Sequence, residues 1–345
     1  MRILVTGAFG FVGRNLSVYL AAHGHYLLAL DIVRQELAAY SAFFSWNQLE
    51  QIDWESVDAV IHLAGKAHDT RNMSDQKSYF DVNVGLTRKV IEVLKVKAQK
   101  KDVTFIFFSS VKAVADRVDG VLTEEVAPDP RTPYGQSKLE AEREVLKLES
   151  SKARKSAKVE ETANVAGQEQ EVSFRTLALP AFRTYILRPC MIHGPGNKGN
   201  LNLLYRIVSS GLPWPLGAFE NRRSFTSIGN LCAVVSGLLS GTVAPGVYQM
   251  ADDETLSTNE LIGLMSEAMG RRAKIWRIPV SLVTRIAKMG DVLRLPLTSE
   301  RLKKLTESYI VSNDKIKSAL KWKTMPIGAR DGLRATLESF SKKST

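Results

Sequence analysis

The feature that most constrains this chain lies at its start. A short apolar run, Arg2–Thr6, leads directly into Gly7-x-x-Gly10-x-x-Gly13 and then into a helix-forming stretch, Phe11–His23. A strand that must turn within a few residues into a helix needs positions without a Cβ, so that other atoms can approach the backbone. The helix start beyond the turn offers free N–H groups and a positive dipole end, which together suit a pyrophosphate. A tight packing turn would use the same glycines, so the motif takes its meaning from context. Tyr26–Asp31, Ala59–Leu63, Thr104–Ser109 and Thr184–Arg188 are further apolar runs of strand length, and Tyr134–Leu148 is rich in helix formers. Continuous apolar strands alternating with helices predict an α/β fold built on a doubly wound parallel sheet buried on both faces.

From about Asn200 the elements shorten, with Pro and Gly between them. There Ser257 and Glu260 predict a capping box for a helix ending near Gly270. The expected division is residues 1–190 for the first domain and 191–345 mainly for a smaller C-terminal α/β substrate lobe, with some segments returning to the first. Residues 149–176 are polar, mixed in charge and almost free of aromatics, and read as an exposed insertion between a helix and the next strand.

Composition excludes several classes. At 345 residues, 44% hydrophobic and 24% charged, the chain has an ordinary globular balance. Its two cysteines, Cys190 and Cys232, make no disulfide framework and suit a reducing compartment. The apolar start is too short for a leader peptide, and no stretch reaches the roughly 18 apolar residues of a spanning helix. A cytoplasmic location is expected. The net charge of +11 is spread along the chain without interleaved aromatics, so a nucleic-acid partner is not expected. An anionic diphosphate or an acidic membrane face is the alternative use of that charge. His23, His25, His62 and His68 lack metal-ligand spacing and read as structural or surface residues.

Three more features carry chemistry. Asp31 closes the second strand, where a carboxylate can bond both ribose hydroxyls of an adenosine and repel a 2′-phosphate, favouring NAD over NADP; Arg34 keeps NADP open. Tyr134 and Lys138 lie one helical turn apart, on one face. An unperturbed tyrosine titrates near pH 10, and a neighbouring ammonium would bring it toward neutrality. Ser109 and Ser110 end the strand TFIFF, at the edge where doubly wound sheets bind ligands.

The glycine loop, Asp31, IHLAG (Ile61–Gly65), DVN (Asp81–Asn83), the serine pair, YGQSK, RPCMIHGPG (Arg188–Gly196) and NRRSFTSIGNL (Asn221–Leu231) together resemble the extended short-chain dehydrogenases/reductases. The likeness is to the NAD-dependent nucleotide-sugar epimerase/dehydratase family, including its bacterial surface-polysaccharide branch. It covers nearly the whole chain apart from the insertion. It implies a Rossmann-type domain, an NAD cofactor, a nucleotide-sugar substrate bound in the cleft before the C-terminal lobe, and a homodimer. Gly7, Phe9, Gly10, Phe11, Val12, Gly13, Asp31, Leu63, Ala64, Gly65, Asn83, Ser109, Tyr134, Lys138 and Pro189 would line the cofactor. Ser110, Tyr134 and Lys138 would be catalytic, with Ser109 as the alternative serine. Ser110, Lys112, Asn200, Arg222 and Arg223 would meet the substrate, the last three at its diphosphate.

Two departures stand out. Lys112 takes a position where these epimerases tend to carry threonine. His193 replaces a tyrosine before Gly194-Pro195, and either faces the substrate or packs. The 4,6-dehydratases of the family need an Asp-Glu pair just after the serine strand, and this chain has valine and lysine there. A C4 epimerase acting on a UDP-hexose or UDP-N-acetylhexosamine through a 4-keto intermediate is therefore expected. An NAD(P)H-dependent 4-ketosugar reductase and a non-catalytic dinucleotide-binding scaffold are the alternatives.

Overall fold

A computed structural model describes residues 1–66, 75–98, 102–163, 182–197, 199–293 and 297–341. The position of His68 lies outside them.

The chain forms two compact units. The first comprises residues 1–116, 127–188 and 234–248. Its strands are β1 (Arg2–Thr6), β2 (Tyr26–Asp31), β3 (Ala42–Ser45), β4 (Ala59–His62) and β5 (Val103–Phe108). After the two-residue β6 (Val121–Leu122), which belongs to the second unit, come β7 (Phe182–Pro189) and, later, β10 (Gly246–Met250). The sheet order is β10-β7-β5-β4-β1-β2-β3, and β1 lies parallel to both β2 and β4. The order reverses direction at β1, so the topological switch point falls between β1 and β4, where such sheets bind ligands beyond the strand ends. Thr6 stands beside both Leu30 and His62 there. The predicted doubly wound α/β sheet is present. Its edge strands β3 and β10 are additional to the predicted set, being short and partly exposed.

Both faces of the sheet are covered. All of β4 and β5 is buried, and Leu4, Leu28, Val60, Phe105 and Ile186 share one apolar cluster with Val90 and Leu94 of the helix Leu86–Lys97. The helix that carries Tyr134 runs Pro133–Ala163, well past the expected end near Leu148. The first half of the expected insertion is thus helical. The stretch Glu149–Ala163 contains neither glycine nor proline and is rich in alanine, lysine and glutamate, which favour helix even without an apolar face. The remainder of the insertion, 164–176, lies outside the described residues.

The second unit comprises residues 117–126, 189–233 and 249–345. It holds two small parallel pairs, β8 (Met191–His193) with β9 (Phe225–Ser227) and β11 (Ile310–Val311) with β6. The predicted capping box is present: Ser257 accepts from Glu260 N, and Glu260 accepts from Ser257 N, at the start of the helix Thr258–Ala268.

Candidate active site

The glycine loop does what its spacing predicts. Gly7 has φ +64, and a Cβ there would lie 2.8 Å from Ala64 N. A Cβ on Gly13 would lie 2.5 Å from the Ala8 carbonyl oxygen, so the helix can sit on its loop only with glycine at that position. Gly10 caps the helix Phe11–Ala22 without any side-chain hydrogen bond. The first turn therefore keeps backbone N–H groups for an anion. Phe9 is buried, and Phe11 and Val12 are half-buried in that first turn. Asp31 accepts from Phe9 N at 2.8 Å and from Ile32 N at 2.7 Å, tying the loop to the end of β2.

On the other side of the switch point, Leu63 N bonds the Thr6 carbonyl, and Ala64 N donates to Thr6 Oγ1 at 3.0 Å. A Cβ on Gly65 would lie 2.8 Å from Asn83 Oδ1 and 3.1 Å from Lys138 Nζ. Gly65, Asn83 and Lys138, widely spaced in sequence, therefore converge at one point. Asn83 sits in a π-helical turn, Asp81–Gly85, a widening that often marks functional sites. It accepts from Lys66 N at 2.7 Å and donates to Ser137 Oγ at 2.9 Å, fixing the Gly65 loop against the Tyr134 helix.

A buried chain of hydrogen bonds lies beneath. Thr87 Oγ1 donates to the Asn83 carbonyl at 2.6 Å, so towards His62 Nε2, 3.0 Å away, it can only accept. His62 is thereby the Nε2–H tautomer, and its Nδ1 accepts from Thr6 Oγ1 at 2.7 Å. Burial, and secondarily the charge of Lys138, push His62 down to about 3. It is a neutral structural residue, as the sequence suggested.

Ser110 and Tyr134 come together. The Ser110 hydroxyl accepts from Lys112 N at 3.2 Å and hydrogen-bonds the Tyr134 phenol. The half-buried Tyr134 ring packs edge-on against Tyr79, with centroids 6.1 Å apart. Burial raises the Tyr134 phenol above its ordinary value, and the Ser110 hydrogen bond opposes that rise. The buried Lys138 ammonium donates to the Phe108 carbonyl at 2.9 Å. Burial brings Lys138 itself down to about 8, against the pull of Glu142.

The two serines differ in their partners. Ser109 Oγ donates to Glu142 Oε1 at 2.5 Å, and Glu142 takes a two-pronged pair from Arg188, at 2.9 and 2.6 Å, all buried. Ser109 belongs to that structural network, which leaves Ser110 beside the phenol. Glu142 escaped the sequence reading, although Tyr134, Lys138 and Glu142 recur every four residues on one helical face. Asp116 escaped it too: its carboxylate accepts from Arg131 N, Thr132 N and Thr132 Oγ1 and fixes the approach to the Tyr134 helix. Lys112 Nζ donates to the Asp116 carbonyl at 2.8 Å.

In the second unit, Arg223 Nε donates to the Glu307 carbonyl at 3.0 Å, and the Arg222 side chain is exposed. Asn200 opens the helix Asn200–Ser209, and its side chain lies outside the described atoms. Pro189 ends β7. His193 is buried, bonds Thr336 Oγ1 at 2.9 Å and stands 3.6 Å from Asp252. Of the two expectations for it, packing is the one met. No group of His, Cys, Asp and Glu among the described residues could hold a metal.

Residues 3–250 match the model of the NAD dependent epimerase/dehydratase family. The UDP-glucose 4-epimerase of Vibrio cholerae is 25% identical over 98% of this chain and 95% of its own length. The N-acetyl-alpha-D-glucosaminyl-diphospho-ditrans,octacis-undecaprenol 4-epimerase of Escherichia coli O157:H7 is 28% identical over 81% of this chain and 76% of its own. A solved structure of MoeE5 in complex with UDP-glucose and NAD superposes with a TM-score of 0.71 at 21% identity, covering 100% of both chains.

Proposed function

The chain belongs to the NAD dependent epimerase/dehydratase family, and from that premise we propose that it inverts C4 of a UDP-hexose or UDP-N-acetylhexosamine through a 4-keto intermediate. The observation that carries this reading is the Ser110–Tyr134 hydrogen bond, set next to the point where Gly65, Asn83 and Lys138 converge. The loop fits NAD. Gly7 lets the loop close on the Ala64 backbone where a Cβ would clash, Gly10 leaves the helix N-terminus free for a pyrophosphate, and Asp31 offers a carboxylate for ribose. Bound there, NAD would supply the hydride acceptor and donor.

The chain's own residues orient the sugar and move its proton. Tyr134 takes the proton of the C4 hydroxyl and later returns it, so the same oxygen serves as base and acid. Ser110 holds the reacting oxygen and favours the phenolate, since its hydroxyl donates to the charged form. Lys138 fixes the nicotinamide ribose from the helical turn after Tyr134. Arg222 and Arg223 are the candidates for the diphosphate, Arg222 with its side chain free in solvent and Arg223 already anchored through Nε. The Lys112 amide bonds Ser110, and its side chain is a candidate for the sugar. Val111 and Lys112 supply no carboxylate after the serine, which argues against water elimination.

The test is to incubate the purified full chain with UDP-glucose, UDP-N-acetylglucosamine and their 4-epimers, follow the sugar by proton NMR, and assay any cofactor carried through purification. Interconversion of a 4-epimer pair without added cofactor supports the proposal. Consumption of NADH or NADPH only with a 4-keto nucleotide sugar would make the chain a ketoreductase. NAD binding with no turnover of any of them would leave the scaffold reading.

A further inference from the structure

We infer that the second unit docks on an anionic lipid bilayer through the helix Val280–Leu293 and the basic segment before it. The inference does not depend on the proposed reaction. The helix has two apolar faces. Val283, Ala287 and Gly290 are buried, and the first two pack in a cluster with Trp214 and Ile262. A second stripe, Leu282, Ile286, Met289 and Leu293, recurs at steps of four, three and four residues, so it lies along one side of the helix. It faces solvent, with exposures of 48%, 41%, 55% and 62%. One stripe therefore builds the core and the other is covered by nothing among the described residues.

Charge decides what would cover it. Arg285 and Lys288 flank the stripe, and Arg271, Arg272, Lys274 and Arg277 precede the helix, all exposed. Asp291 is the one acidic residue between positions 271 and 293. No ion pair among the described residues neutralises any of the six cations. Trp276, 58% exposed, stands in the same basic segment, and indole side chains favour the water–lipid boundary. A second protein would need a matching acidic surface with an apolar seam, whereas an anionic bilayer offers both over any footprint.

A recess adjoins this face. Trp214 and Ile262, which share the cluster with the buried side of the helix, also line a cavity of about 500 Å³. Its wall includes the exposed Leu212, and Arg271, Arg272 and Lys274 belong to its lining. An apolar recess bordered by cations has the chemistry to accept part of one anionic lipid.

The experiment is co-sedimentation of the full chain with vesicles of equimolar phosphatidylglycerol and phosphatidylcholine, against pure phosphatidylcholine, at low and high salt. The chain should pellet with the anionic vesicles alone and be released by salt. Arg285→Gln with Lys288→Gln should weaken partitioning about thirtyfold, the change corresponding to roughly 1 kcal/mol per surface cation. Ile286→Glu with Met289→Glu should abolish it, and both pairs should keep the wild-type melting temperature and NAD affinity. Absence from the anionic pellet, equal pelleting with neutral vesicles, or binding indifferent to both variant pairs would each overturn the inference. So would a wild-type dimer that Ile286→Glu with Met289→Glu splits into monomers, since the stripe would then be a contact between copies.

Discussion

Each unit buries a histidine in a polar network, and the two networks are built in opposite ways. In the first unit, His62 lies among hydroxyls and a backbone carbonyl, beside the buried ammonium of Lys138. That ammonium is met by a carbonyl and the face of Phe107 rather than by a contacting carboxylate. In the second unit the buried charge is Asp252, which accepts from Ser227 N, Ser227 Oγ and Asn230 Nδ2 and has His193 at 3.6 Å. One network leaves its charge under-compensated, with a carbonyl and an aromatic face for partners. The other surrounds its charge with donors and holds strands and helices together. The lesson is that burial of titratable groups does not mark a site; incomplete compensation does.

The difference can be broken by removing the charges one at a time. Asp252→Asn should destabilise the fold by about 3 kcal/mol, because it turns an acceptor oxygen into an N–H facing the Ser227 amide. Chemical denaturation would measure it, and an unchanged midpoint would mean that the network is not structural. His62 should make stability fall with acid. Its folded value of about 3 is below the unfolded 6.5, so the unfolded chain binds more protons between the two. The contribution is whole above pH 6.5 and is lost as pH falls toward 3, amounting to about 2 kcal/mol by pH 5. Comparing denaturation at the two pH values in wild type and His62→Gln should show that part of the slope missing from the variant. Lys138→Met should act in the reverse direction, stabilising the protein at pH 7 by roughly 1–2 kcal/mol while lowering turnover. That gain should shrink as pH rises from about 8, where the wild-type ammonium begins to lose its charge. A destabilised Lys138→Met protein at pH 7 would show that Lys138 is a structural anchor.

The same contrast explains what could be read from the sequence. The first unit's site was largely visible because its parts are local patterns: the glycine loop, Asp31 at a strand end, and Tyr134 and Lys138 one turn apart. Resemblance puts Ser110 ahead of Ser109, and what distinguishes the two in the fold is Glu142, which binds Ser109 across 33 residues. Such long-range pairs leave no spacing signal, and Glu142–Arg188 and Thr6–His62 were invisible for that reason. Helical spacing places Lys138 on the face of Tyr134 without saying where its ammonium points, so its bond to the Phe108 carbonyl was not legible either. In the second unit, the packing of His193 rests on Thr336 and Asp252, residues that no local pattern connects to it. The helix beyond Leu148 was missed because a polar stretch without an apolar stripe gives no periodicity to detect, although its residues are good helix formers.

The account rests on Tyr134 as the proton-transfer group in a site that binds NAD independently of it. The most direct measurement is turnover of the nucleotide sugar by Tyr134→Phe, with NAD affinity determined on the same preparation. Turnover should fall by about 10³-fold, within the range of a lost general acid–base group, with NAD affinity essentially unchanged. Turnover within a few fold of wild type would contradict the account and move the chemistry to another residue.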